Sequence, residues 1–232
     1  MMPVAYVDAL ATSPVIDGLP VFRDAVSCFK ETPADVVIDF TNAAWTPLLA
    51  DAAVAAGVRM VIGTTGLEKA WIEGFGASCA ERKVGAVMAS NFAISAVLMM
   101  SFARQAARFF EHAEIIELHH DQKVDAPSGT AKTTAELMLA ERKERFIYPP
   151  TEKETVAGTR GGELGGIAIH SVRLPGLVAH QEVIFGALGQ TLTIRQDSTG
   201  RESYMPGVLA ATRAVMGLDH LVFGLDALFG LQ

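Results

Sequence analysis

Apolar residues recur along this chain in two patterns, and the change between them falls near residue 93. Before it, short β-branched runs alternate with longer Ala- and Leu-rich stretches. Val4-Ala5-Tyr6-Val7 reads as a short strand ending at Asp8, and Ala34 to Phe40 as a second, entered after Pro33. Thr46 to Ala56 reads as a helix stopped by Gly57. Val58 to Ile62 is a strand that runs into Gly63-Thr64-Thr65-Gly66, Leu67 to Arg82 a helix with Glu68 in its first turn, and Val84 to Ala89 the next strand. Strand runs bounded by glycines and separated by helices predict a parallel α/β sheet.

After Asn91-Phe92 the pattern changes. Ala93 to Phe110 reads as one long apolar helix, Ala113 to Glu117 as a strand and Ala131 to Arg145 as a helix. Tyr148 to Gly166 holds Pro149-Pro150 and five glycines, a loop of a length that is often functional. Ile167 to Leu174, Gln181 to Gly186 and Thr191 to Asp197 follow as strands with only turns between them, which predicts a mostly antiparallel or mixed sheet. Gly207 to Met216 reads as a last helix before an apolar tail, Leu221 to Leu225. The expected fold is therefore α/β: an incomplete Rossmann-like parallel-sheet domain over 1–93 plus 207–232, and an α+β substrate and oligomerisation domain with a mixed sheet over 94–206.

Composition narrows the function classes. Half of the 232 residues are hydrophobic, enough for sizeable cores. A net charge of −7 with no basic stripe argues against nucleic acid as a partner. Cys28 and Cys79 lie far apart, in neither a CxxC nor a Cys/His metal pattern, and read as reduced thiols. No apolar run approaches the ~18–20 residues that span a bilayer. Met-Met-Pro-Val-Ala-Tyr-Val-Asp lacks the charged and apolar regions of a signal peptide. A soluble cytoplasmic protein without a membrane partner is expected.

The chemistry concentrates in Glu117-Leu118-His119-His120-Asp121-Gln122-Lys123-Val124-Asp125-Ala126-Pro127-Ser128-Gly129-Thr130-Ala131. Histidine suits proton transfer near neutral pH. Lys123 follows His119 by four residues, so a turn or helix start would aim both heads at one pocket. Ser128-Gly129-Thr130 precedes a helix, where backbone N–H groups and hydroxyls suit a carboxylate or phosphate. The plainer reading of Ser128 or Thr130 is a helix cap. A metal site at His119-His120 is disfavoured, because neighbours on a strand point to opposite faces.

Three further places carry candidates. Gly63-Thr64-Thr65-Gly66 lies at the carboxyl end of a strand, where α/β sheets bind ligands, although a plain strand-to-helix turn has the same composition. Ala89-Ser90-Asn91-Phe92 ends the next strand and would wall the same site, Asn91 bonding an amide and Phe92 packing near a ring. Asp8 closes the first strand, where an acid binds a ribose hydroxyl or merely caps a turn. Arg195 and Arg201 flank a turn and have the fork geometry that clamps carboxylates. His170, Arg173 and His180 read as strand-face or interface residues.

The 117–131 run closely resembles the signature of 4-hydroxy-tetrahydrodipicolinate reductase (dihydrodipicolinate reductase), a family of lysine and diaminopimelate synthesis. Val36 to Thr41, Val61 to Gly66, Ala89 to Ile94, Ser171 to Gly176, His180 to Val183 and Asp197-Ser198…Arg201 are also similar to family blocks, in family order. The resemblance implies reduction of the cyclic dihydrodipicolinate species with NADH or NADPH. It implies His119 as general acid to the ring carbon beside the one taking hydride, and Lys123 as its partner. By the same resemblance His120, Ser128, Gly129, Thr130 and Arg201 surround the two carboxylates. Asp8, Gly63, Thr64, Thr65, Ala89, Ser90, Asn91 and Phe92 are implied on the cofactor side, with no metal. A homotetramer built through the substrate-domain sheets, near His170 to Val183, is implied as well.

The family pattern opens with a strand, a Gly-x-x-Gly-x-x-Gly-like loop and a helix that these residues do not contain; Pro3 to Val7 resembles the family's second strand. Two outcomes are expected: either this strand moves inward to fill the central position of the sheet, or the cofactor half is loosely formed. Hence a second functional reading, a non-catalytic homologue that binds a dicarboxylate or only assembles as an oligomer.

Overall fold

The computed structural model describes residues Met1 to Leu231. They form two compact units, one of Met1–Phe92 with Pro206–Gly230, the other of Ala93–Met205 with Leu231.

The first unit begins with β1 (Tyr6–Val7), β2 (Val15–Ile16), β3 (Leu19–Phe22) and α1 (Ala25–Glu31), and continues through β4 (Val36–Asp39), α2 (Thr46–Ala56), β5 (Arg59–Ile62), α3 (Lys69–Arg82) and β6 (Ala86–Met88). The second holds α4 (Ile94–Ala106), β7 (His112–His119), α5 (Gly129–Arg142), β8 (Gly162–Leu164), β9 (Ile167–Arg173), β10 (Ala179–Ala187) and β11 (Gln190–Ser198). A 3-10 turn at Arg201–Tyr204 precedes α6 (Met205–Ala214), β12 (Leu221–Phe223) and α7 (Leu225–Leu228).

In the first unit β12, β6, β5 and β4 form a parallel sheet in that order. β5 and β6 are buried nearly throughout, which is why their sequences are continuous apolar runs rather than alternating ones. Leu49, Ala50 and Ala53 of α2 and Phe75 and Cys79 of α3 pack on Met60, Ile62, Ala86 and Met88. α1 is started by Asp24, whose carboxylate accepts the Ser27 N–H at 2.8 Å.

The N-terminal strand has not moved inward to fill the sheet. β1 does not enter the parallel sheet; it pairs with β3 in a separate three-stranded sheet, and β4 forms the edge of the parallel one. The reason is local. Asp17 and Gly18 both take positive φ, 51° and 78°. They close a two-residue hairpin between β2 and β3, and β3 then offers β1 a nearby partner.

In the second unit the strand order is β11-β10-β7-β9-β8, antiparallel except for the β7–β9 pair. One face packs against α4 and α5 through Met99, Ala103, Ala107, Ala131, Ala135 and Met138. α4 is shorter than the expected 93–110 helix, and β7 is longer than the expected 113–117 strand, running on through His119. β8 falls inside the stretch expected to be loop. The opposite face carries ion pairs: Glu114 with Arg160 at 2.7 Å and His170 at 2.8 Å, and Arg195 with Glu182 and Asp197, both at 3.0 Å.

Candidate functional site

Strand register arranges the second unit's helix-covered face in rows. Ile115 lies between Ile169 and Val183, and Val183 beside Ile194, as an apolar row. Two residues further along β7 the row becomes polar: Ser171, Glu117, Gln181 and Gln196. The next reads Arg173, His119, Ala179 and Ser198. The period-2 geometry of strands puts Glu117 and His119 on the same face as the core. The functional end of the sheet is thus a continuation of the core in polar residues.

Glu117 is 0% exposed. Arg173 grips it as a fork, NH2 to Oε1 at 2.7 Å and NH1 to Oε2 at 2.9 Å. The Ser128 N–H donates to Oε1 at 3.1 Å, and His119 Nδ1 lies 2.5 Å from Oε2. Arg173 NH2 also donates to the Asp125 carbonyl at 2.8 Å. Hydrogen bonds from Arg173, Ser171 and His119 hold the Glu117 carboxyl below the usual range against the opposing effect of burial, the largest single influence. Burial lowers the His119 pKa most; Glu117 pulls it up, and the charges of Lys123 and Arg173 push it down, for a net lowering. A half-buried imidazole held below its ordinary value is neutral at physiological pH.

Lys123 sits in the turn after β7, its N–H donating to the His120 carbonyl. Its ammonium lies 2.7 Å from Asp125 Oδ1, so its charge is already met by a carboxylate. Ser128 caps α5, its Oγ accepting the Ala131 N–H at 3.2 Å. Gly129 has open space where a Cβ would stand. The Thr130 carbonyl accepts the Thr134 hydroxyl at 2.7 Å, and that Oγ in turn accepts from Gln181 Nε2 at 2.8 Å. His120 is exposed, as is Arg201 in the 3-10 turn. One hydrogen-bonded network therefore ties His119, Ser128 and, through Asp125 and Arg173, Lys123; the side chains of His120 and Arg201 stand outside it.

On the first unit β4, β5 and β6 end together at Asp39-Phe40, Gly63-Thr64 and Ala89. Asp39 is 1% exposed and organises these ends. Its Oδ2 accepts the hydroxyls of Thr46 at 2.5 Å and Thr64 at 3.2 Å, and Oδ1 accepts the Thr41 N–H at 3.0 Å and hydroxyl at 2.6 Å. Thr64 is thus a buried strut, whereas Thr65 is exposed. A Cβ at Gly63 would collide with the Phe40 ring. Phe40 is 48% exposed, and its ring centroid lies 5.2 Å from that of the buried Phe92. Ala89 is buried, its N–H donating to the Ile62 carbonyl; Ser90 is exposed and Asn91 half-buried. Asp8 accepts the Leu10 N–H at 2.9 Å at the end of β1, in the small sheet.

Glu117 and Phe40 were given no role of their own from sequence, and Arg173 only that of a strand-face or interface residue. A signal existed for the first, an acid in line with the core-facing positions of a strand. Among the described residues no group of three His, Cys, Asp or Glu side chains is placed to hold a metal.

Family models for the dihydrodipicolinate reductase N-terminus and C-terminus match residues 7–92 and 95–229. The chain belongs to the dihydrodipicolinate reductase family. The 4-hydroxy-tetrahydrodipicolinate reductase of Geobacillus kaustophilus (strain HTA426) is 54% identical over 216 residues, covering 91% of this chain and 82% of that protein. The enzyme of the same name from Desulfitobacterium hafniense (strain DSM 10664 / DCB-2) is 55% identical over 201 residues, covering 87% and 75%. Among solved structures, dipicolinate-bound dihydrodipicolinate reductase from Paenisporosarcina sp. TG-14 superposes with a TM-score of 0.89 at 42% identity, over 97% of this chain and 88% of that one. An amine dehydrogenase from Mycobacterium smegmatis, at 12% identity and a TM-score of 0.55, shares the fold alone.

The dihydrodipicolinate reductase family uses a nicotinamide cofactor, and the residues at the strand ends of the first unit suit its ring. Gly63, lacking a Cβ, lets the half-exposed Phe40 ring lie against the end of β5, and the neighbouring Thr64 hydroxyl is held by a buried carboxylate.

Proposed function

We propose that this chain is a 4-hydroxy-tetrahydrodipicolinate reductase of lysine and diaminopimelate synthesis. The observation that carries the reading is the buried, charge-compensated cluster of Glu117, Arg173 and His119 beside Lys123 and the first turn of α5. The dipicolinate bound to the Paenisporosarcina relative supports a cyclic dicarboxylate as ligand.

In this reading His119 gives its proton to the ring carbon next to the one that takes hydride. Lys123 holds a substrate carboxylate, exchanging Asp125 for it. The N–H groups of Gly129 and Thr130 at the start of α5, with Ser128, His120 and Arg201, receive the carboxylates, as anions are favoured at a helix N-terminus. Gly63, Thr64, Thr65 and Ala89 to Phe92 hold the nicotinamide end of NADH or NADPH, and Asp8 a ribose hydroxyl. When bound, that cofactor supplies the hydride. The exposed, ion-paired face of the five-stranded sheet serves as the contact of a homotetramer. No described helix is long and apolar enough to cross a membrane.

A non-catalytic homologue that binds dicarboxylate is the second reading. What favours it is that, among the described residues, β4 has no strand partner on one side. Calorimetric titration with NADH and NADPH separates the two. Micromolar binding of either supports the reductase; dipicolinate binding without cofactor binding supports the alternative.

A further inference from the structure

Glu117 is a fully buried charge with no role in the chemistry described so far. Burying a carboxylate is costly unless it is paired and its lone pairs are filled. Here the lone pairs are filled by Arg173, Ser171, His119 and the Ser128 N–H, and two of these bonds reach functional segments: His119 Nδ1, and the Ser128 N–H at the start of α5. Arg173 adds a third link by holding the Asp125 carbonyl.

The bond to His119 restricts where its proton sits. An ionised carboxylate only accepts hydrogen bonds, and the Arg173 fork favours the ionised form. In the neutral ring the hydrogen must then be on Nδ1, which leaves the lone pair on Nε2. We propose that Glu117 and Arg173 are a positioning pair that fixes neutral His119 as the Nδ1–H tautomer, leaves Nε2 as the atom that takes up a proton from solvent and then passes it on, and anchors the 120–128 loop bearing Lys123. This rests on the reading of His119 as the acid, but the tautomer is a property of the free protein and is measurable without turnover.

The surroundings of His119 give the pair opposite electrostatic effects. Glu117 faces the ring from β7, Arg173 from β9, and Lys123 and Asp125 from the loop; β10 presents the uncharged Ala179, and α5 the uncharged Ser128. Glu117 raises the His119 pKa, whereas Arg173 lowers it. Removing one or the other must move the imidazole in opposite directions. A scaffold contact would not do so, since any general loosening exposes the ring and shifts it one way.

The test is histidine nitrogen–proton correlation NMR across pH on the full chain, with the His119 signal assigned by its disappearance in His119→Asn. In the unmodified protein neutral His119 is expected to carry its hydrogen on Nδ1. Glu117→Gln is expected to lower the His119 pKa and mix the tautomers. Arg173→Met is expected to raise it, each by ~1 unit or more. Arg173→Lys keeps the charge without the fork and is expected to stay nearer wild type than Arg173→Met. If Glu117→Gln fails to fold, the wild-type tautomer and the two Arg173 variants still decide. A hydrogen on Nε2 of neutral His119 in the wild type, or shifts of the same sign in both charge-removing variants, overturns the proposal. Turnover is read separately: full activity in His119→Asn would remove the acid role while leaving the tautomer result standing.

Discussion

Glu117 and Asp39 are both buried carboxylates at the ends of parallel strand pairs, 0% and 1% exposed, and they are satisfied in different ways. Glu117 is matched by an arginine fork and an imidazole; Asp39 receives only three threonine hydroxyls and a backbone N–H. A charge met by charge transmits electrostatics to its neighbours, as the opposed influences on His119 illustrate. A charge met by neutral dipoles mainly fixes geometry, here the alignment of β4, α2 and the Gly63–Thr64 turn. The difference suits the proposed tasks, proton transfer in one unit and shaping a ring site in the other.

Breaking the Glu117 cluster should have the largest effect. Arg173→Met leaves a buried carboxylate without its counter-ion and is expected to destabilise the chain by about 3–5 kcal/mol, read by urea denaturation. A loss below about 1 kcal/mol would erase the distinction between the two hubs. Asp39→Ala leaves only neutral donors unpaired and should cost less, about 1–3 kcal/mol, with weaker NADH or NADPH binding and little change in dipicolinate binding. Equal weakening of both ligands would mean that Asp39 does more than shape the cofactor end. Gly63→Ala places a methyl group against Phe40 and is expected to cost about 1–3 kcal/mol as overpacking; Gly63→Ala in a Phe40→Leu background should recover part of that loss, and failure to do so would remove Phe40 as the neighbour that matters.

The smallest effect is in pH. Both His119 and Glu117 have folded-state values below their ordinary ones. For a depressed carboxyl, stability is complete above the unfolded value and is lost as pH falls through the folded one; a depressed imidazole loses stability in the same sense, because the native state resists its charging. The two windows differ: His119 begins to contribute near pH 6.5 and Glu117 only below about 4.3. His119→Asn should flatten the upper part of the stability curve and leave the lower part. A curve unchanged between about pH 5 and 7 would contradict the lowered His119 value.

Much of this was legible in the sequence for physical reasons that can be named. β5 and β6 read as strands because both faces are buried, and α2 and α3 because glycine and charge bracket their apolar stretches. The 117–131 run declared its chemistry through residue types alone. Leu221–Phe223 did not read as a strand because three apolar residues carry no period; it becomes one by adding to β6 after the chain returns to the first unit. The β2–β3 hairpin was missed although Asp17-Gly18 is a strong turn signal, because its strands are too short to show alternation. Arg173 read as a strand-face residue, since its partner Glu117 lies 56 positions away and only the parallel register brings them together.

The most direct test is steady-state reduction of the cyclic dihydrodipicolinate species with NADH and NADPH by wild type and His119→Ala, alongside calorimetric dipicolinate binding by both. The account predicts turnover in the wild type and a fall of ~10²–10⁴ in the variant, with dipicolinate still bound. Equal turnover in the two proteins, or dipicolinate binding by a wild type that turns over neither cofactor, would contradict it.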